Sequence, residues 1–310
     1  MPALYHTEER DGKTLDVLSW DATGLRLKIL RYGAEMVSLS RPNHAGESTG
    51  FLYRDDDVTP PASGWTNHAT VMGFFTHRLV EERTLYRGRA IRGGTHSFVR
   101  YKEFAAPEWD EDNSALTYRL GPEQIAVEDY PLRVKMALTY ALEPDRVRVS
   151  FDFENEEDVP AHVSFGMHPG FAVTTLESCQ VWMPAGTYVQ HLAPGNFLSG
   201  ETKEMRFSGG IMPFPKSELP GAFLLELKEV EDPVFKLADP RSLREIGVDL
   251  REAPYVTLWS DGNAFICIEP CWGLPDHHEQ RPFEAKLGMQ EIPANGRLRR
   301  SFAISATIGD

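Results

Sequence analysis

Cysteine is scarce. Its three copies in 310 residues, Cys179, Cys267 and Cys271, cannot build a disulfide framework, and the odd count fits a reducing compartment. Cys267 and Cys271 have no further ligands at zinc-site spacing around them, so they read as plain buried or semi-exposed thiols, and no metal is expected. Basic residues are also in short supply: 32 Lys and Arg against 46 Asp and Glu leave a formal charge of −14, which disfavours nucleic acid and acidic membrane surfaces as partners. No uncharged apolar run is long enough to span a bilayer, and Met1 to Arg10 lacks the basic, apolar and small-residue succession of a secretion signal. A cytoplasmic protein is expected. The sequence holds no Gly-rich loop of the P-loop type, no dinucleotide fingerprint and no HExxH. The adjacent His277 and His278 would point to opposite faces of a strand, which makes them a poor metal pair.

Amphipathic helical patterns are equally rare, whereas period-two alternation recurs throughout. Leu25, Leu27 and Ile29 share one face of an expected strand, and Leu132, Val134, Met136, Leu138 and Tyr140 share that of another. Val147, Val149, Phe151 and Phe153 alternate with Arg148, Ser150 and Asp152, and Phe302, Ile304, Ala306 and Ile308 repeat the pattern near the C-terminus. The Glu143 to Arg146 interval reads as a hairpin turn, because Pro144 presets its dihedral and Asp145 bonds locally to the backbone. An apolar content of 41% can fill a large core, and the 25 Gly and 22 Pro are scattered rather than gathered into a linker. The expectation is all-β: one domain over residues 1–310, an antiparallel sandwich with few short helices. The Gly- and Pro-rich stretch from Ser208 to Pro220 reads as a surface excursion from it.

Two polar breaks in apolar sequence carry the candidate chemistry. In Phe165 to Phe171, Gly166, Pro169 and Gly170 surround His168; the expected strand ends near Val163, placing the imidazole at a strand end or sheet rim. In Phe265 to Gly273, Glu269 follows the apolar Phe265 to Ile268, so its carboxylate is expected to be partly desolvated and more basic than an exposed one. A histidine and a carboxylate offered this way can supply an acid and a base to one substrate, although either could equally be structural. A third region contributes Arg78 and His96 as hydrogen-bond donors, with Gly93 and Gly94 allowing close approach of a ligand. Between them Arg83, Arg87, Arg89 and Arg92 form a basic stretch, read either as a solvated face or as a phosphate site. Trp65, Trp259 and Trp272 are candidates for stacking on a sugar ring or, more simply, for the core.

These segments, in this order, resemble the aldose 1-epimerase (mutarotase) family, particularly its branch of proteins like the LacX protein of lactose operons. The resemblance spans most of the chain. It is carried by Arg78 in a strand before a hairpin, by His96, Phe98 and Arg100, by Gly166 to Phe171, and by Ile268-Glu269-Pro270 followed by Gly273 and Asp276, with Leu258-Trp259-Ser260 preceding. It implies a galactose-mutarotase-like supersandwich with a sugar cleft on one sheet face, acting on a free or phosphorylated aldose without a cofactor. It assigns Glu269 as the general base at the anomeric hydroxyl and His168 as the general acid at the ring oxygen, facing one cleft with room for a sugar ring between them. Arg78, His96, Trp259 and Trp272 would hold the sugar. The chain departs from the family pattern in carrying Cys271 where an aromatic usually follows the Glu-Pro, and in lacking an Asp near Gly221, so sugar preference does not transfer. A hexose-6-phosphate 1-epimerase and a non-catalytic carbohydrate-binding sandwich are the alternatives. Nothing in the sequence fixes the oligomeric state.

Overall fold

The computed structural model describes residues 2–212, 219 and 221–309. Most of the expected Ser208 to Pro220 excursion, residues 213–218 and 220, lies outside them; Gly210–Ile211 pairs as a short edge strand with Gln180–Met183. Strands account for nearly all regular structure, and the helical segments among the described residues are short 3-10 turns. A nine-stranded and an eight-stranded sheet face each other, joined by a five-stranded sheet built from the N-terminal fifty residues and a two-stranded hairpin, Arg83–Tyr86 with Arg89–Arg92. Neighbouring strands pair antiparallel throughout. No helix among the described residues is long and apolar enough to cross a membrane.

The expected alternation survives as strands Leu25–Leu30, Val134–Leu142, Arg146–Asn155 and Arg297–Ile308, with Leu132 just outside the second. Glu143 and Arg146 close the hairpin with a backbone hydrogen bond of 2.8 Å. One contiguous core lies between the large sheets: Phe151 and Phe153 of the nine-stranded sheet pack on Phe165 of the eight-stranded one at ring separations of 5.0 and 4.8 Å. Burial of these large aromatics, at roughly 25 cal/mol per Å² of apolar surface, is the main force holding the layers together.

Both polar breaks lie inside strands, which corrects the expectation that the chain leaves the sheet there. Ala161–Ala172 runs unbroken through His168, and Phe265–Trp272 through Glu269. The two strands pair with one register, Gly166 opposite Cys271 and Gly170 opposite Cys267, and the ladder is interrupted only between those pairs. Pro169 and Pro270 occupy that interval, where a missing N–H costs no ladder bond. The glycines serve close approach instead of turning. A Cβ on Gly166 would lie 2.4 Å from the Pro270 carbonyl oxygen, and one on Gly170 would lie 2.3 Å from the Trp65 ring.

Strand alternation then sorts the side chains. On Phe265–Trp272, Ile266, Ile268 and Trp272 face the core, and Cys267, Glu269 and Cys271 face the other way. Trp272 is therefore a core residue. It is fully buried, stacks on Phe165 with ring centroids 5.0 Å apart, and donates its indole N–H to the Glu252 carbonyl at 2.7 Å. The assignment of Trp272 to sugar contact is corrected accordingly: three residues from Glu269 on a strand is an odd step, and an odd step changes face.

Candidate active site

The outward faces of three neighbouring strands form the floor of a cleft. His168 comes from Ala161–Ala172, Glu269 from Phe265–Trp272, and Thr257 with Trp259 from Tyr255–Trp259, while Thr70 of Ala69–Phe74 is buried beside His168. Cross-strand register aligns them, with His168 opposite Thr70 and Thr257 opposite Glu269. Carried through the interrupted interval, the register of the two central strands also sets His168 beside Glu269. The cleft encloses about 390 Å³ and is walled by Trp65, Asn67, His77, Arg78, His96, Arg100, Gly221 and Ala222. That volume falls in the range of small-molecule sites, ~300–1,000 Å³.

The structure brings together Glu269, His168, Arg78, His96 and Trp259, and excludes Trp272. Glu269 and His168 do not stand apart as a sugar-wide pair. Their Oε1 and Nε2 atoms are 3.3 Å apart, because they are cross-strand neighbours on a pleated face. Both are almost wholly buried, and Glu269 Oε2, His168 Nδ1 and Thr70 Oγ1 have no hydrogen-bond partner among the described residues. Burial drives the Glu269 carboxyl well above the usual carboxylate range and depresses the His168 imidazole, which His77 and the Arg100 guanidinium depress further. Burial thus favours the neutral form of each group, with the proton on the carboxyl side of the contact over the imidazole side.

The His168 ring is fixed by its neighbours. Trp65 stacks on its face at 5.0 Å, and the rings of Trp259 and His96 meet it nearly edge-on at 5.3 Å each. Trp65 is itself tied down by its backbone N–H, which donates to Asp261 at 2.9 Å. His96 Nδ1 accepts from the His77 backbone N–H at 3.2 Å, so its other nitrogen carries the proton and acts as a donor. Burial, reinforced by His168, His77 and the two arginines, keeps the His96 imidazole neutral. The backbone N–H of His96 in turn donates to the His77 carbonyl at 2.7 Å, holding two residues whose φ values of 59° and 63° lie in the left-handed region.

Arg78 sits in the loop after Ala69–Phe74 instead of in a strand, exposed at the cleft rim, with no carboxylate partner among the described residues. Its loop is pinned from below: the Asp276 N–H donates to the Arg78 carbonyl at 3.0 Å, and Asp276 Oδ2 accepts from the Val80 N–H at 3.2 Å. Arg100 donates to Asn67 Oδ1 at 2.6 Å. The hairpin arginines lie elsewhere. Arg83 pairs with Glu81, Arg92 with Glu128 and Asp129, and Arg87 donates to the Pro160 carbonyl; none of Arg83, Arg87, Arg89 and Arg92 lines the cleft.

Sequence reasoning assigned no role to His77, Asn67 or Thr257 and quoted Arg100 only as part of a run. Thr257 was accessible to it, being two residues before Trp259 and so on the same strand face; Asn67 and His77 reach the cleft through loops and left no periodic signal. The thiols are buried as expected. The further ligands missing around them in sequence are nonetheless present in space: His77, Glu269 and Cys271 offer ligand atoms within 4.8 Å of one another, as do His168, Cys267 and Glu269.

A family model described as aldose 1-epimerase matches residues 16–278. The chain belongs to the aldose 1-epimerase family. Its fold is that of solved members of this group. A galactose mutarotase related enzyme from Lactobacillus acidophilus superposes with a TM-score of 0.82 at 21% identity, over 99% of both chains. A galactose mutarotase-like protein from Lactobacillus casei gives 0.79 at 22% identity, over 98% of this chain and 100% of the other. Galactose 1-epimerase from Lactobacillus acidophilus gives 0.73 at 13% identity, over 99% of both. No curated protein sequence matches the chain.

Proposed function

We propose that this protein is an aldose 1-epimerase that interconverts the α and β anomers of a sugar by acid–base ring opening and reclosure. The observation that carries the reading is the buried contact of 3.3 Å between Glu269 and His168 on the floor of the cleft. The two groups have their proton affinities pushed in opposite directions by burial, which favours the neutral pair with the proton on the carboxyl. Moving that proton from Oε1 to Nε2 converts a neutral pair into a carboxylate base and an imidazolium acid with no net change of charge. A sugar hydroxyl entering the cleft supplies the polar contact that makes this state accessible in a dry site.

Glu269 then takes the proton from the anomeric hydroxyl as His168 protonates the ring oxygen. The C1–O5 bond breaks, and the electron pair of O1 forms the aldehyde. Rotation about C1–C2 presents the other carbonyl face, and O5 closes on it as the two protons return. Each general acid or base step of this kind contributes ~10²- to 10⁴-fold. His96 and Arg78 are the donors that hold hydroxyls and offset negative charge on oxygen during opening. Trp65 and Trp259 offer the apolar surface on which a pyranose C–H face packs.

A phosphorylated aldose is a second reading, favoured by Arg78 and Arg100, two guanidinium groups in a cleft where Glu269 is the one carboxylate among the described lining residues. The hairpin arginines no longer support it, being outside the cleft. Polarimetry of freshly dissolved aldoses and their 6-phosphates tests both readings. Accelerated equilibration of neutral sugars supports the first, acceleration confined to the phosphates supports the second, and binding without acceleration leaves a carbohydrate-binding sandwich.

A further inference from the structure

The mechanism leaves Cys271 unused, although it lies on the same strand face as Glu269, two residues along. Its sulfur is 3.8 Å from His77 Nε2, and His77 has no other side-chain contact through that nitrogen among the described residues. Glu269 Oε2 is buried without a partner, and a Glu269 oxygen completes a set of three ligand atoms within 4.8 Å of one another. Tetrahedral zinc, with Zn–S ≈ 2.3 Å and Zn–N ≈ 2.0–2.1 Å, holds sulfur and nitrogen about 3.5 Å apart, so the observed sulfur–nitrogen distance needs only a small adjustment. One thiolate, one imidazole and one carboxylate form a borderline-soft donor set suited to zinc over magnesium or calcium.

We infer that His77, Glu269 and Cys271 form a binding site for a zinc-like divalent cation, which occupies the catalytic carboxylate and so inhibits the enzyme reversibly. The cation enters through the cleft, which His77 and Glu269 line, and the Cys271 thiol proton and the Glu269 carboxyl proton pass to solvent as the Zn–S and Zn–O bonds form. Three protein ligands leave a fourth tetrahedral position for water. The alternative set of His168, Cys267 and Glu269 is less available, because His168 Nε2 is already engaged by Glu269 and the ring is held between Trp65, Trp259 and His96. Binding itself does not depend on the proposed reaction, whereas the inhibition rests on Glu269 being its base.

The test is calorimetric titration of the full chain with zinc chloride in the absence of sugar, accompanied by the absorption spectrum of the cobalt(II) form. One ion per chain and a thiolate-to-cobalt charge-transfer band are expected. Cys271→Ser and His77→Ala each remove a direct ligand and should weaken binding by about a hundredfold or more, since outer-shell partners alone are worth 10–100-fold. Cys267→Ser should bind as the wild type does. Absence of stoichiometric binding, absence of the thiolate band in the wild type, or loss of binding in Cys267→Ser but not Cys271→Ser would each overturn the assignment, and the cobalt spectrum needs no variant to fold. A chain that binds zinc but, stripped of metal, does not equilibrate anomers would overturn the proposed activity and leave the site standing, whereas equal rates with zinc bound and with zinc removed would overturn the inhibition.

Discussion

Lys286→Met should be among the most damaging single changes outside the central core. Lys286 Nζ lies 2.6 Å from Asp276 Oδ1, and both side chains are 1% exposed. The contact is ionic more than a well-aligned hydrogen bond, and burial lowers the Lys286 pKa despite the attraction of Asp276. Methionine keeps most of the volume and removes the charge, which strands the Asp276 carboxylate in a dry site; breaking a buried pair in this way costs about 3–5 kcal/mol. At about 2 °C per kcal/mol for a chain of this size, Tm should fall by roughly 6–10 °C. Asp276→Asn in the same chain removes the orphaned charge and should recover more than half of the loss. Because Asp276 also holds the Arg78 loop, the surviving folded fraction of Lys286→Met should show a raised KM with a smaller change in kcat. Scanning calorimetry and steady-state polarimetry read the two effects. A fall of no more than about 1–2 °C, the size expected of an exposed pair, would refute the reasoning.

Trp272→Ala and Trp259→Ala should separate core from cleft: the first opens a cavity costing about 3–5 kcal/mol by denaturant unfolding, and the second weakens sugar binding with little change in stability. Equal destabilisation by both would contradict the assignment of faces. The rate should fall as pH rises through the raised pKa of Glu269 and hold on the acid side down towards the depressed pKa of His168. Above the raised pKa of Glu269 the pair loses its single proton, and only towards the depressed pKa of His168, about 3, does it gain a second. Loss of activity as pH falls through about 6.5, the ordinary histidine value, would show instead that His168 titrates as a solvated imidazole.

The strands were legible in the sequence because one face of each is buried, which forces alternation at Leu25 to Ile29, Val147 to Phe153 and Phe302 to Ile308. The ends of the two functional strands were not. Gly166, Pro169 and Gly170 carry the composition of a turn, yet Gly166 answers to close approach of the neighbouring strand, Gly170 to the Trp65 ring laid over it, and Pro169 to a gap in the ladder, none of which is a local property. Glu269 and His168 could be singled out as a carboxylate and an imidazole in apolar surroundings, whereas their direct contact depends on cross-strand register. Trp272 was misplaced despite a usable signal, since period-two counting from Glu269 already turns it to the core. His77, Asn67 and Arg100 converge on the cleft from loops, where spacing carries no directional information. The metal-ligand set around Cys271 is likewise assembled from residues almost two hundred positions apart.

Glu269→Gln is nearly isosteric and abolishes the base. It should fold at least as well as the wild type at neutral pH: the native carboxyl has a raised pKa, so it must take up a proton on burial, and the stability it contributes is lost as pH rises above the unfolded value, whereas the amide carries no such cost. NMR exchange between the anomeric proton signals of an aldose that the wild type equilibrates measures the reaction itself. The variant should slow enzyme-dependent exchange by about two orders of magnitude or more with its melting temperature unchanged or raised. Near-wild-type exchange in a folded Glu269→Gln chain would place the base elsewhere and contradict the acid–base pair.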